Sequence, residues 1–180
     1  MFEIHTPESA PAGSKAALED VRERIGFIPN LAATMGGAPA LIEGFGHLQQ
    51  ALRETALTGA EREVVGLTVS YANTCAYSMA AHSTFAARHG LPDEVLRALR
   101  AGLPLPDERL QALHEFARDV VRERGHVTTH KMAAAGFTDQ QVLEVIAQVG
   151  YTSLANWMAN LADTPLDDAF RAQYWSSAIL

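Results

Sequence analysis

The chain has a single cysteine, Cys75, in 180 residues, so no intrachain disulfide framework can hold it together and a reducing cytoplasm is its expected setting. Long hydrophobic runs are missing as well. No apolar stretch reaches the length of a bilayer span. Met1 to Gly13 lacks the basic region and apolar run of a secretory signal, and Pro7, Pro11 and Gly13 make it an extended lead-in. Positive charge is in deficit: a formal net charge of -7 argues against nucleic acid or an anionic membrane as partner, because the average surface repels both. Gly-rich phosphate loops, a GxSxG elbow and dinucleotide fingerprints are absent, and no cofactor is expected. Runs of β-branched residues are few. With 48% hydrophobic and 19% charged residues and a predominance of Ala and Leu, the composition predicts an all-α protein. At 19.4 kDa, residues 1–180 are expected to form one domain with a substantial core.

Helix signals follow one another along the chain. Ser14 is placed to cap a first helix carrying Leu18, Val21 and Ile25, which Gly26 ends. Pro29 biases Ile28 away from helical angles, so Phe27 to Asn30 reads as a turn. Gly36, Gly37 and Pro39 interrupt a short helix, and Pro39 suits the first turn of a longer one running to about Ala56. His47, beside the stripe of that helix, reads as a packed or surface histidine. Further helices are expected from Pro92 through Leu99, from Asp107 to about Arg124, and from Thr128 or Thr129 to Gly136. Phe170, Tyr174 and Trp175 predict a terminal helix that docks on the body or on a neighbouring subunit.

Two stretches have the form of a capping box, Thr58-Gly59-Ala60-Glu61 and Thr138-Asp139-Gln140-Gln141. They lie 80 residues apart, and the same offset aligns Val65 with Val145, Val69 with Val149 and Tyr71 with Tyr151. This is the pattern of two related helical hairpins. At the second copy's positions for Glu63, Cys75, Ser78 and His82 stand Leu143, Ala155, Met158 and Ala162, so only the first copy carries a polar site.

The chemistry concentrates between Glu63 and His82. Cys75, Ser78 and His82 stand at i, i+3 and i+7 and share one face if the segment is helical. Capping by Asn73 or Thr74 would put Cys75 in the first turn, where unpaired amides and the helix dipole favour a thiolate. Such a cysteine is expected to be more acidic than a free one. Glu63, on a mainly apolar preceding helix, needs a donor, which His82 or Cys75 can supply. Tyr71 and Tyr77 are candidate substrate-binding residues at a pocket rim. The plain readings are a small buried filler for Cys75, a core histidine for His82, a helix-start carboxylate for Glu63 and a packing residue for Ser78. Cys75, His82, His89 and Glu63 are types that bind zinc, yet two helical turns are too long for one ion, and no metal is expected.

Glu63, eleven residues, Cys75, two residues, Ser78, three residues, His82 resembles the signature of the alkylhydroperoxidase D-like and carboxymuconolactone decarboxylase superfamily. Gly26 to Leu31 and Asn156 to Pro165 resemble it too. In the family's peroxidase branch a second cysteine stands where this chain has Ser78, and that cysteine attacks the peroxide while the first resolves the product as a disulfide. The resemblance implies an all-α, alkylhydroperoxidase D-like homo-oligomer, a trimer or hexamer. It also implies a peroxidase-related, antioxidant oxidoreductase. Without the dithiol, Cys75 would attack a hydroperoxide oxygen and become a sulfenic acid, His82 and Glu63 would handle the proton, and an external thiol would act as reductant. The decarboxylase branch implies instead a lyase or isomerase acting on a small organic acid, with His82 and Glu63 in proton transfer and Cys75 incidental. A non-catalytic oligomeric binding protein is the third reading.

Overall fold

The computed structural model describes residues 2–176, and every regular element among them is helical. A short 3-10 turn at Ala12–Ser14 leads into α1 (Lys15–Ile25), and α2 (Asn30–Met35) and α3 (Pro39–Arg53) follow. Gly26, at φ 93°, stops α1 in the left-handed conformation, and Pro39 occupies the first turn of α3. Ser14 is buried and makes no capping hydrogen bond, because the 3-10 turn runs directly into the helix.

The centre is α4 (Gly59–Ala72), with α5 (Ala76–Arg88) beside it; α6 (Asp93–Ala101), α7 (Glu108–Arg122), α8 (His130–Ala134) and the long α9 (Asp139–Ala162) complete the body. Both capping boxes form as the sequence predicts. The Thr58 and Thr138 side chains accept from the amides of Glu61 and Gln141, whose side chains reach back to the cap amides. Most of α4 is buried, and it packs against α5, α6, α7 and α9. A helix that is apolar most of the way round belongs in the middle of a bundle.

Two apolar clusters flank α4 and α5. The larger gathers Val65, Leu67, Leu99, Leu113, Phe116 and Val145, under α6, α7 and α8. The smaller gathers Leu18, Met35, Ile42, Ala80, Phe170 and Cys75, where α1, α2, α3 and α5 meet α9. A cavity opens in this second cluster.

The expectation of two hairpins holds for the first copy only. There α4 ends at Ala72, Thr74 takes φ 51° and α5 restarts at Ala76, whereas α9 runs straight through the corresponding positions. The first copy breaks at Asn73-Thr74, and side chains from α9 hold the break: Asn73 Nδ2 donates to Asn156 Oδ1 at 3.0 Å, and Asn160 Nδ2 to the Asn73 carbonyl at 3.0 Å. Leu154 stands at the position of Thr74 and favours continuation.

The chain's end also differs from expectation. Asp168–Gln173 is 3-10 rather than α-helical; Phe170 and Trp175 are buried, while Tyr174 is exposed. Trp175 docks by donating its indole N–H to the Arg100 carbonyl at 2.9 Å. Residues 177–180 of the expected helix lie outside the described residues. Among the described residues no helix is long and apolar enough to cross a membrane, and no group of His, Cys, Asp and Glu is arranged to hold a metal ion.

Candidate active site

The site is built where α4 and α5 run side by side. Glu63, in the second turn of α4, points across to His82 in the middle of α5, and Glu63 Oε2 lies 2.8 Å from His82 Nδ1. With the carboxylate as acceptor, the imidazole proton sits on Nδ1 and Nε2 is left with its lone pair. The two side chains are only 11% and 15% exposed, so little water competes for that bond. Gly66 makes the arrangement possible. A Cβ at that position would stand 2.5 to 2.9 Å from His82 Cε1, Nδ1 and Nε2, so the ring lies against bare helix backbone.

A second histidine approaches the same carboxylate. His89 Nε2 is 3.7 Å from Glu63 Oε1, with its ring seated on Gly59. The sequence reading weighed His89 only as a metal ligand and missed this approach. Its signal was the seven-residue spacing from His82, which puts both rings on one face of α5.

These groups face a cavity of about 550 Å³. Its apolar wall includes Ile42, Phe45, Phe85 and Phe170, and its polar wall Glu63, Ser78, His82 and His89. Four arginines line it as well: Arg24, Arg53, Arg62 and Arg88. In a chain with a net charge of -7, four arginines and one carboxylate residue line the cavity, and Arg24 is paired with Asp20 at 2.7 Å. Sequence reasoning missed these arginines, because they come from four helices and share no spacing.

Of the three residues expected on one face of α5, Ser78 and His82 line the cavity. Cys75 is instead fully buried in the smaller apolar cluster, and it is itself the cap of α5 rather than a first-turn residue. Because Thr74 takes the left-handed conformation, the helix starts two residues later than Asn73 capping and one later than Thr74 capping would have it. The expected acidic thiol is corrected accordingly. Burial pushes the Cys75 thiol up, against a weaker opposite pull from the Ser78 hydroxyl and the amides of Ser78 and Tyr77.

Both tyrosine expectations also change. The Tyr77 ring forms part of the cavity wall, but its hydroxyl is committed elsewhere: it donates to Asp167 Oδ2 and accepts from the Leu31 amide at 3.4 Å. Asp167 accepts in addition from the Asn30 amide, at 3.1 and 3.2 Å. Tyr77 therefore ties α5 to the start of α2 and to the segment after α9. Burial raises both the Tyr77 hydroxyl and the Asp167 carboxyl, with the Tyr77 hydrogen bond opposing it at Asp167. Tyr71 lies in the other cluster, edge-on to Trp175 at 5.8 Å and against Gly102, and is not at the cavity rim. His47 is exposed on α3.

The sequence comparison matches residues 39–119 to the Carboxymuconolactone decarboxylase family, a span that includes Glu63, Cys75, Ser78 and His82. No curated protein matches the chain. Among solved structures the chain is similar to an alkylhydroperoxidase AhpD core, an uncharacterized peroxidase-related protein from Ralstonia eutropha JMP134. The two are 24% identical with a TM-score of 0.82, covering 94% of this chain and 93% of that one. An uncharacterized peroxidase-related protein from Silicibacter sp. TM1040 is 20% identical over 96% of this chain and 93% of its own, with a TM-score of 0.79. The Debrominase Bmp8, in a Cys-to-Ala variant with 2,3,4-tribromopyrrole, is 19% identical over 96% and 95%, also at 0.79. The all-α fold is thus shared by proteins of differing chemistry.

Proposed function

We propose that this chain, which resembles the alkylhydroperoxidase D-like and carboxymuconolactone decarboxylase superfamily, is an acid–base enzyme of the lyase or isomerase type acting on a small organic acid. The observation that carries this reading is the 2.8 Å pair of His82 and Glu63 at the wall of an arginine-bearing cavity, which Ser78 lines and Cys75 does not. His82 Nε2 takes a proton from the carbon beside a carboxylate, or delivers one to it. Glu63 keeps the ring in the required tautomer and offsets the positive charge while the imidazole holds the proton. The guanidiniums of Arg53, Arg62 and Arg88 supply charge-assisted hydrogen bonds for the substrate's carboxylate. Phe45, Phe85 and Phe170 suit an apolar body.

The test is deuterium incorporation from heavy water, or loss of carbon dioxide, across a panel of small unsaturated and keto acids followed by NMR. Turnover is expected to survive Cys75→Ser and to fall by about 10² to 10⁴ in His82→Ala. Turnover that needs the thiol and tolerates loss of the imidazole would reject the reading.

One observation favours a second reading, the one-cysteine peroxidase: the Ser78 hydroxyl, whose residue lines the cavity, acts on the Cys75 thiol. In that scheme the buried thiol is uncovered by a shift of the first turn of α5, is oxidised to a sulfenic acid and is reduced by an external thiol. Reduced protein would then consume hydroperoxide stoichiometrically, and Cys75→Ser would not. Equal rates in the two proteins would end this scheme.

A further inference from the structure

We infer that Ser78 is a nucleophile, and that Ser78, His82 and Glu63 form an acyl-transfer triad able to cleave a small carboxylic ester in the same cavity. The inference rests on the reading of His82 and Glu63 as an acid–base pair and adds a covalent activity to it.

Such chemistry needs an alcohol, a base and a group that orients the base, and Ser78, His82 and Glu63 bring all three to one cavity wall. Glu63 supplies the orientation through its 2.8 Å contact with Nδ1, which leaves Nε2 as the base. Ser78 and His82 are four residues apart on α5, where Cβ atoms stand about 5 to 6 Å apart. Long helical side chains lean back over the preceding turn, so the imidazole lies over the turn that carries Ser78. Both residues line the cavity, so an ester there meets the hydroxyl and the imidazole together. Gly66 removes the one side chain that would lift the ring off this position.

Two further features favour oxygen over sulfur as the attacking atom. Cys75 lies outside the cavity wall, and burial keeps it a neutral thiol, so no sulfur competes for His82. Ser78 stands in the first turn of α5, where the helix dipole favours negative charge. Arg62 and Gln148, both in the cavity wall, are further donors; Gln148 is buried, with one of its amide hydrogens given to Thr152 at 3.2 Å.

The step balances without an added oxidant or reductant. Ser78 Oγ bonds to the ester carbonyl carbon as its proton passes to His82 Nε2. The bond from that carbon to the alcohol oxygen then breaks, and the leaving oxygen takes the proton from His82. Water adds to the acyl-serine, giving its proton to His82, and the acid departs as Ser78 Oγ recovers a proton. The net change is ester plus water to acid plus alcohol.

The experiment uses p-nitrophenyl acetate with the full chain under a reducing agent. The expected result is a stoichiometric burst of p-nitrophenolate and an acetyl adduct that mass spectrometry maps to Ser78. The adduct should be absent in Ser78→Ala and should form about a hundredfold more slowly in His82→Gln. No adduct on the folded wild-type chain, an adduct that persists in Ser78→Ala, or one that forms equally fast in His82→Gln would each overturn the inference. Proton exchange by the wild type without an adduct would reject the triad and leave the acid–base reading standing. An adduct on Ser78 without exchange on any organic acid would do the reverse.

Discussion

At the scale of single residues, Gly66 sets the tolerance of the site. Alanine is the better helix former by about 1 kcal/mol, so Gly66→Ala would be neutral or stabilising if only α4 mattered. Its methyl would stand 2.5 Å from His82 Cε1, and the ring must rotate away from Glu63. We expect an intact fold with activity reduced by about tenfold or more, since small misplacements of a catalytic group are costly. A circular dichroism melt beside a turnover assay separates the two effects; unchanged turnover would mean the ring has other room. The sulfur makes a second prediction. Cys75 is fully buried and its thiol is raised, so alkylation by iodoacetamide at neutral pH should be at least about tenfold slower in the folded chain than in urea. Ser78→Cys would place a second sulfur against the first, three residues on at the helix start. Free thiols counted before and after mild peroxide should then fall from two to none if the pair closes into a disulfide. His114 is the residue to follow with pH. Its Nδ1–H donates to Thr68 Oγ1 at 2.8 Å, because the Thr68 hydroxyl is already given to the Val64 carbonyl at 2.7 Å. Burial, helped by Arg118 and opposed by Glu115 and Asp119, lowers the His114 pKa below 6.5. The folded state therefore resists a proton that the unfolded chain accepts. Its contribution is complete above about pH 6.5 and is lost as pH falls from there toward the folded-state value. Urea midpoints between pH 7.5 and 5.5 should drop, and less steeply in His114→Gln.

At the scale of elements, what could be read in advance was what is local. Thr58 and Thr138 announce the starts of α4 and α9 because a capping box needs only four adjacent residues, and Gly26 and Pro39 mark a stop and a start for the same reason. The pairing of Glu63 with His82 was legible through its spacing, as two groups one helical hairpin apart. What failed to show was decided by partners distant in sequence. Asn156 and Asn160 hold the break at Asn73, which moved the start of α5 and buried Cys75. Tyr77 was drawn off by Asp167, ninety residues away. The two caps also differ in surroundings. Glu61 of the first box is nearly buried and pairs with Arg109 at 2.9 Å, whose guanidinium lies 3.7 Å over the Phe137 ring. The second box is exposed. Replacing either threonine with alanine should cost about 0.5 to 2 kcal/mol, with Thr58→Ala at the upper end and Thr138→Ala at the lower. Chemical denaturation of the two variants compares them directly; equal losses would mean that the Arg109 pair adds nothing to the cap.

At the scale of the whole molecule, charge and packing are unevenly distributed. The chain is acidic overall, yet four of its arginines converge on one cavity, and that cavity interrupts the smaller of the two apolar clusters rather than the larger. The larger cluster, closed around α4, α7 and α9, is the more secure anchor. The cavity, about 550 Å³ in volume, presents aromatic and aliphatic walls to whatever binds there. Any compound that fits it therefore stabilises the native chain by mass action, by about 2.7 kcal/mol at a hundredfold excess over its dissociation constant. For a chain of 180 residues that is an upward move in melting temperature of about 5 to 10 °C. The molecule thus carries its own thermometer, and a dye-based melting screen of carboxylates against their amides would sort candidate metabolites before any reaction has been assayed.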